Sequence, residues 1–110
     1  MDASQSNSLT LVVTLTIRNE QLSKFREFER LAAKIMLRYG GRIERTVVIP
    51  PARGGEFYKE IHIVTFPDEQ SLQAYRDDAE SKTLIPLREA CIYKTEAWKG
   101  KKGPDYLAVG

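Results

Sequence analysis

The chain has 110 residues, enough for one domain that buries roughly 60–65% of the surface its unfolded form exposes. Its 42% hydrophobic and 29% charged residues are those of a globular domain, and a net charge of +2, with basic and acidic residues interleaved, argues against a nucleic-acid partner. One cysteine, Cys91, and one histidine, His62, exclude an internal disulfide and disfavour a His/Cys metal centre within one subunit, so no metal and no bound cofactor is expected.

No run approaches the ~20 apolar residues of a membrane span. Residues 1–8 are rich in Ser, Gln and Asn and lack the basic and apolar regions of a signal peptide. A disordered tail is expected there, with no membrane association and a cytoplasmic location. The domain itself is expected over residues 9–99, followed by a C-terminal tail over 100–110.

From Leu9 the chain alternates strictly, Leu9, Leu11, Val13, Leu15 and Ile17 against Thr10, Val12, Thr14 and Thr16, which predicts a strand. The threonine face is semi-polar and suits a surface that something covers. Asn19 is the expected N-cap of the next element. Phe25, Phe28, Ala32, Ile35 and Tyr39 then recur at steps of three and four, the buried stripe of a helix, widened by Leu22, Leu31 and Met36. Gly40 is placed to end that helix with φ > 0, and Gly41 to let the backbone reverse. A phosphate-binding loop needs the opposite order, strand then glycines then helix, so this is not a nucleotide site.

A second strand is predicted over residues 42–49, with Ile43, Val47 and Ile49 opposite Glu44, Thr46 and Val48. Residues 50–55, Pro-Pro-Ala-Arg-Gly-Gly, read as a hairpin tip. The third strand, 57–66, is apolar on both parities and must be covered on both faces. Asp68 is the expected N-cap of a second helix carrying Leu72, Tyr75 and Ala79, which Pro86 must break, with a further turn starting near Ile85. A fourth strand is expected over 91–98, with Cys91, Tyr93, Thr95 and Ala97 on one face and Ile92, Lys94, Glu96 and Trp98 on the other. Residues 99–103 break the pattern, and the apolar stretch 106–109 could dock on the domain or on a neighbour.

Strand, helix, two hairpin-linked strands, helix and strand make an α+β, ferredoxin-like βαββαβ domain, with a four-stranded antiparallel sheet and its helices on one face. Two helices cannot cover two faces of a sheet. The expected cover for the other is a second copy related by a two-fold axis, giving a homodimer through the sheet face.

Four short segments carry a resemblance in their order and spacing: Tyr39-Gly40-Gly41-Arg42, Phe66-Pro67-Asp68-Glu69, Leu87-Arg88-Glu89-Ala90 and Glu96-Ala97-Trp98-Lys99-Gly100. Over about residues 9–100 the chain resembles the dimeric α/β-barrel superfamily, within it a group of small bacterial proteins of unknown function that carry the Tyr-Gly-Gly-Arg motif. It departs from that group over 48–55 and at Thr65, where the group often has an acidic residue. The resemblance implies a barrel-like dimer with a pocket between each sheet and its helices or between the two sheets. It also implies a choice among cofactor-free monooxygenases of aromatic polyketides, haem-degrading enzymes, muconolactone-type isomerases and ligand-binding modules, which fold alone does not make.

His62 shares a parity with Tyr58 and Glu60 on the third strand. If that side faces the inter-sheet cavity, His62 and Glu60 are the candidates for proton transfer and Tyr58 for ligand binding. If Phe66 instead packs under the helices, Ile61, Ile63 and Thr65 face that cavity and His62 is a rim or pairing residue. Arg42 and Arg45 are candidate carboxylate or phosphate binders, with pairing of an arginine to Glu60 as the alternative. Tyr93 and Trp98 lie on opposite faces and one could stack on an aromatic ligand. Cys91 reads as a small buried hydrophobe. Two readings follow: a small-molecule enzyme of the monooxygenase or isomerase kind acting on an aromatic or acidic ligand, or a non-catalytic ligand-binding or assembly module. Haem degradation is disfavoured because the lone histidine is expected on a strand.

Overall fold

The computed structural model describes residues 8–108. The polar stretch 1–7 and the last two residues of the expected tails lie outside the described residues. Strand β1 runs Leu9–Arg18, a 3-10 turn Asn19–Gln21 leads into helix α1, Leu22–Leu37, and strands β2, Arg42–Ile49, and β3, Phe57–Phe66, form the hairpin. Three short helices follow, α2 Glu69–Asp77, α3 Ala79–Thr83 and α4 Ile85–Cys91, before strand β4, Lys94–Gly100. The sheet has the order β2-β3-β1-β4 with every pairing antiparallel, the ferredoxin-like arrangement, and the helices form a single layer on one face.

Alternation on β1 decides which face the helices take. Leu15 and Ile17 are buried against Phe25, Phe28 and Ala32 of the stripe expected on α1, and Leu11 packs with Val64, Phe66 and Leu72. Asp68 caps α2, its carboxylate accepting from the Ser71 N–H at 2.7 Å. Gly40 has φ +75°, and the Gly40 and Gly41 N–H groups return to the carbonyls of Leu37 and Met36, closing the C-terminus of α1. Gly41 lacks positive φ; it is buried, and only glycine fits because a Cβ there would fall 2.6 Å from Met36 Cγ and closer still to the Phe66 ring.

Four local expectations change. Asn19 does not cap α1: its side-chain amide donates to the Gly55 carbonyl, tying the hairpin tip to the end of β1. A bulge between Ile43 and Arg45 shifts β2 by one residue, so Ile43 pairs with Val64 over the helices while Val47 and Ile49 join Ile61 and Lys59 on the open face. The second helix breaks earlier than Pro86, at Asp78, which caps α3 by accepting from Ser81 N–H. Cys91 ends α4 rather than starting β4, since the helix begun around Pro86 keeps its i→i−4 bonding through Ile92 N–H to Arg88 O. A short apolar run fits either period, and packing of Cys91 into the core decides.

The core forms two clusters. Leu15, Ile17, Phe25, Phe28, Ala32, Tyr58 and Cys91 make one, and Leu11, Val64, Phe66 and Leu72 the other. On the open face, register aligns rows across the sheet: Arg45, Ile63, Val12 and Trp98 in one, and Val47, Ile61, Thr14 and Glu96 in the next. Tyr106 and Leu107 are almost fully exposed and do not dock on their own domain. No helix among the described residues is long and apolar enough to cross a membrane.

Candidate functional site

The helix-facing row of β3 reads Tyr58, Glu60, His62, Val64 and Phe66, all buried. Its ends belong to the two core clusters, and its middle is polar. Burying a carboxylate and an imidazole costs stability unless each finds partners. Here they find one another: Glu60 Oε1 lies 2.8 Å from His62 Nε2, and Glu60 Oε2 accepts from the Tyr58 hydroxyl at 2.9 Å. With Nε2–H given to Glu60, the Nδ1 side of the ring is turned to Glu29 of α1, whose Oε2 is 3.7 Å away.

Glu29 was not among the sequence candidates, although its spacing marks it. It stands four residues after Phe25 and three before Ala32, an apolar slot in the stripe of α1, and the fold presses it toward the sheet. Burial pushes its carboxyl up from the ordinary glutamate range; the nearby His62 opposes the shift and Glu60 adds to it. Burial likewise raises the phenols of Tyr58 and Tyr75.

Glu29 and His62 face an open cavity of about 260 Å³ between the sheet, α1, α2 and α4. Most of its wall is apolar, including Leu11, Phe28, Met36, Val64, Phe66 and Leu72, and Arg76, Tyr75, Arg88 and Thr95 supply the remaining polar groups. Arg88 is held in place by donating to Thr95 Oγ1 at 2.8 Å. An apolar cavity of about 150 Å³ suffices for benzene, so this one has room for a substituted aromatic. Chemically, the arrangement resembles an oriented base: Glu60 fixes the imidazole, and His62 Nδ1 with the Glu29 carboxyl can take and return a proton at the cavity wall.

The structure therefore brings together Tyr58, Glu60 and His62, on the helix side of the sheet and not on the side where two sheets would meet. Arg42 and Arg45 are exposed on the opposite face, so neither pairs with Glu60. Tyr93 precedes β4 and packs on Phe57 with ring centroids 4.8 Å apart, with the Arg18 guanidinium 4.7 Å from its ring, away from His62. Cys91 is buried, and burial raises its thiol, which suits a packing residue. Among the described residues no group of three or more His, Cys, Asp or Glu side chains is placed to hold a metal ion.

No family model matches the chain, and no curated protein matches it significantly. Solved structures do share its fold. SnoaB of Streptomyces nogalater, described as a cofactor-independent oxygenase, is 13% identical, with TM-score 0.67 over 93% of this chain and 99% of that one. A proposed antibiotic biosynthesis monooxygenase of Nitrosomonas europaea is 12% identical, with TM-score 0.65 over 94% and 95%. RPA0582 of Rhodopseudomonas palustris, a protein of unknown function, is 12% identical, with TM-score 0.68 over 90% and 85%. At these identities the likeness is one of fold: an α+β, ferredoxin-like domain with a four-stranded antiparallel sheet.

Proposed function

We propose that this chain is a cofactor-free enzyme that takes a proton from a small aromatic substrate and passes the resulting anion to dioxygen, working as a homodimer whose two sheets face each other. One observation carries this reading: a Glu29–His62–Glu60–Tyr58 chain, buried on the strand and part-buried at Glu29, reaches a mostly apolar cavity at positions where packing alone favours Val or Leu. Such a cluster is expensive to bury and well suited to moving protons. His62 and Glu29 act on the substrate; Glu60 orients the imidazole and Tyr58 holds Glu60. For a ring methylene the balance is two C–H bonds lost, one dioxygen consumed, one C=O formed and one water released. The description of SnoaB as a cofactor-independent oxygenase supports the same class. Arg42, Arg45 and Trp98, on the open face, belong to the dimer contact in this reading rather than to the site.

The test is oxygen uptake with a panel of anthrones and hydroxynaphthalenes, with chelator present and no flavin added. Turnover is expected, with His62→Gln and Glu29→Gln each lowering kcat by about 100-fold or more. Compounds that raise the melting temperature but are never oxidised would assign the cavity to a non-catalytic binding module instead.

A further inference from the structure

We propose that the cavity selects aromatic carboxylates and holds them in one orientation, carboxylate outward among Arg76, Lys82 and Arg88, reacting ring inward against Glu29 and His62. This rests on reading the cavity as a substrate site. A second depression of about 200 Å³ shares Phe28, Ala32, Tyr75, Arg76 and Arg88 with the first and extends between α1 and the α2–α4 segment. Its charged lining is Arg76, Lys82 and Arg88, without a carboxylate. The acids nearest in sequence are engaged elsewhere: Asp77 accepts from Gln73, Asp78 from the Tyr39 hydroxyl, and Glu80 from Arg38. Arg76 and Lys82 have no ion pair among the described residues. Arg88 spends one Nη2–H on Thr95 and keeps the rest of its fork for a planar anion.

Lys82 lines only the outer depression, Glu29 and His62 only the inner cavity, and Arg76 and Arg88 stand where the two meet, so the charge grades from cationic outside to acidic inside. A ligand anion is drawn to the guanidinium end and repelled by Glu29 and Glu60, so its uncharged ring is the part that meets the base. Orientation follows from charge without a dedicated recognition loop.

Matched probes, hydroxynaphthoate and the corresponding naphthol, test this by calorimetric titration. The carboxylate is expected to bind about tenfold tighter, the gain of one charged hydrogen-bonding contact. That preference should shrink as salt rises, because Arg76 and Lys82 are exposed, and fall to about twofold or less in Arg76→Gln/Lys82→Gln. Both changes are at the surface, so the fold should persist; Arg88→Gln is the second variant and should act in the same direction. Equal affinity for the two probes, no binding of either, or a preference that survives all three substitutions overturns the proposal. Selective carboxylate binding without oxygen uptake across carboxylated anthrones and naphthols would leave the charge selection standing and remove the oxygenase reading.

Discussion

At the scale of single residues, Glu29 is where burial and chemistry oppose each other. Its carboxyl is raised by desolvation, so the folded chain binds this proton more tightly than the unfolded chain does. For a raised folded pKa, the favourable contribution is complete below the unfolded value of about 4.3 and is lost as pH rises through the folded value. Ionised Glu29 is thus a destabilising group at higher pH, and Glu29→Gln should gain stability relative to the native chain as pH climbs out of the acid range. Urea midpoints of the two proteins across pH read this directly; a difference that does not change with pH contradicts the raised pKa. Glu60 has a structural part. It is the shared partner of Tyr58 and His62, and Glu60→Ala removes both hydrogen bonds, with an expected loss of about 1–3 kcal/mol. An unchanged urea midpoint for that variant would mean that the three side chains are not a unit.

At the scale of elements, the joint between α1 and β2 places the site. Gly40 turns the chain with positive φ, and Gly41 admits the Phe66 ring beside it, so the start of β2 and the end of β3 lie tight under α1. That closeness sets α1 over the sheet, with Glu29 opposite His62. Gly41→Ala should cost about 1–3 kcal/mol by overpacking. Shortening the ring in Gly41→Ala/Phe66→Leu should return part of it, a non-additivity visible in a double-mutant cycle of denaturant midpoints. Purely additive losses would place the strain elsewhere.

At the scale of the whole molecule, the sheet has one face under the helices and another that carries Val12, Ile63 and Trp98 in one row and Val47 and Ile61 in the next. Val47 and Trp98 are 40% and 54% exposed and lie beside Val12, Ile61 and Ile63, an apolar cluster of the kind that marks an interaction surface. If two copies cover that face mutually, Ile63→Lys at its centre should yield monomers in sedimentation velocity while the native chain stays dimeric. A native chain that sediments as a monomer would refute the proposed assembly.

Much of this was legible along the chain. The alternation of β1, the stripe of α1, the glycine joint, the Asp68 cap and the hairpin tip are all local patterns, and their order is enough for a ferredoxin-like domain. The parity that joins Tyr58, Glu60 and His62 is local too. Which face that parity takes is not, because β3 is apolar on both sides and only the packing of Phe66 beneath α1 and α2 decides between them. The bulge at Glu44 and the helical state of Cys91 lie beyond local pattern for the same reason: a one-residue slip or a short apolar run is resolved by what it packs against. Glu29 is the clearest case. Its spacing marks an anomaly on one helix, but its partner is 33 positions away on a strand, and only the folded sheet sets the carboxylate beside the imidazole on the wall of a cavity. Periodicity in the chain determined the layers; contacts between distant segments, which carry the burial and the charge coupling, decided where the chemistry sits.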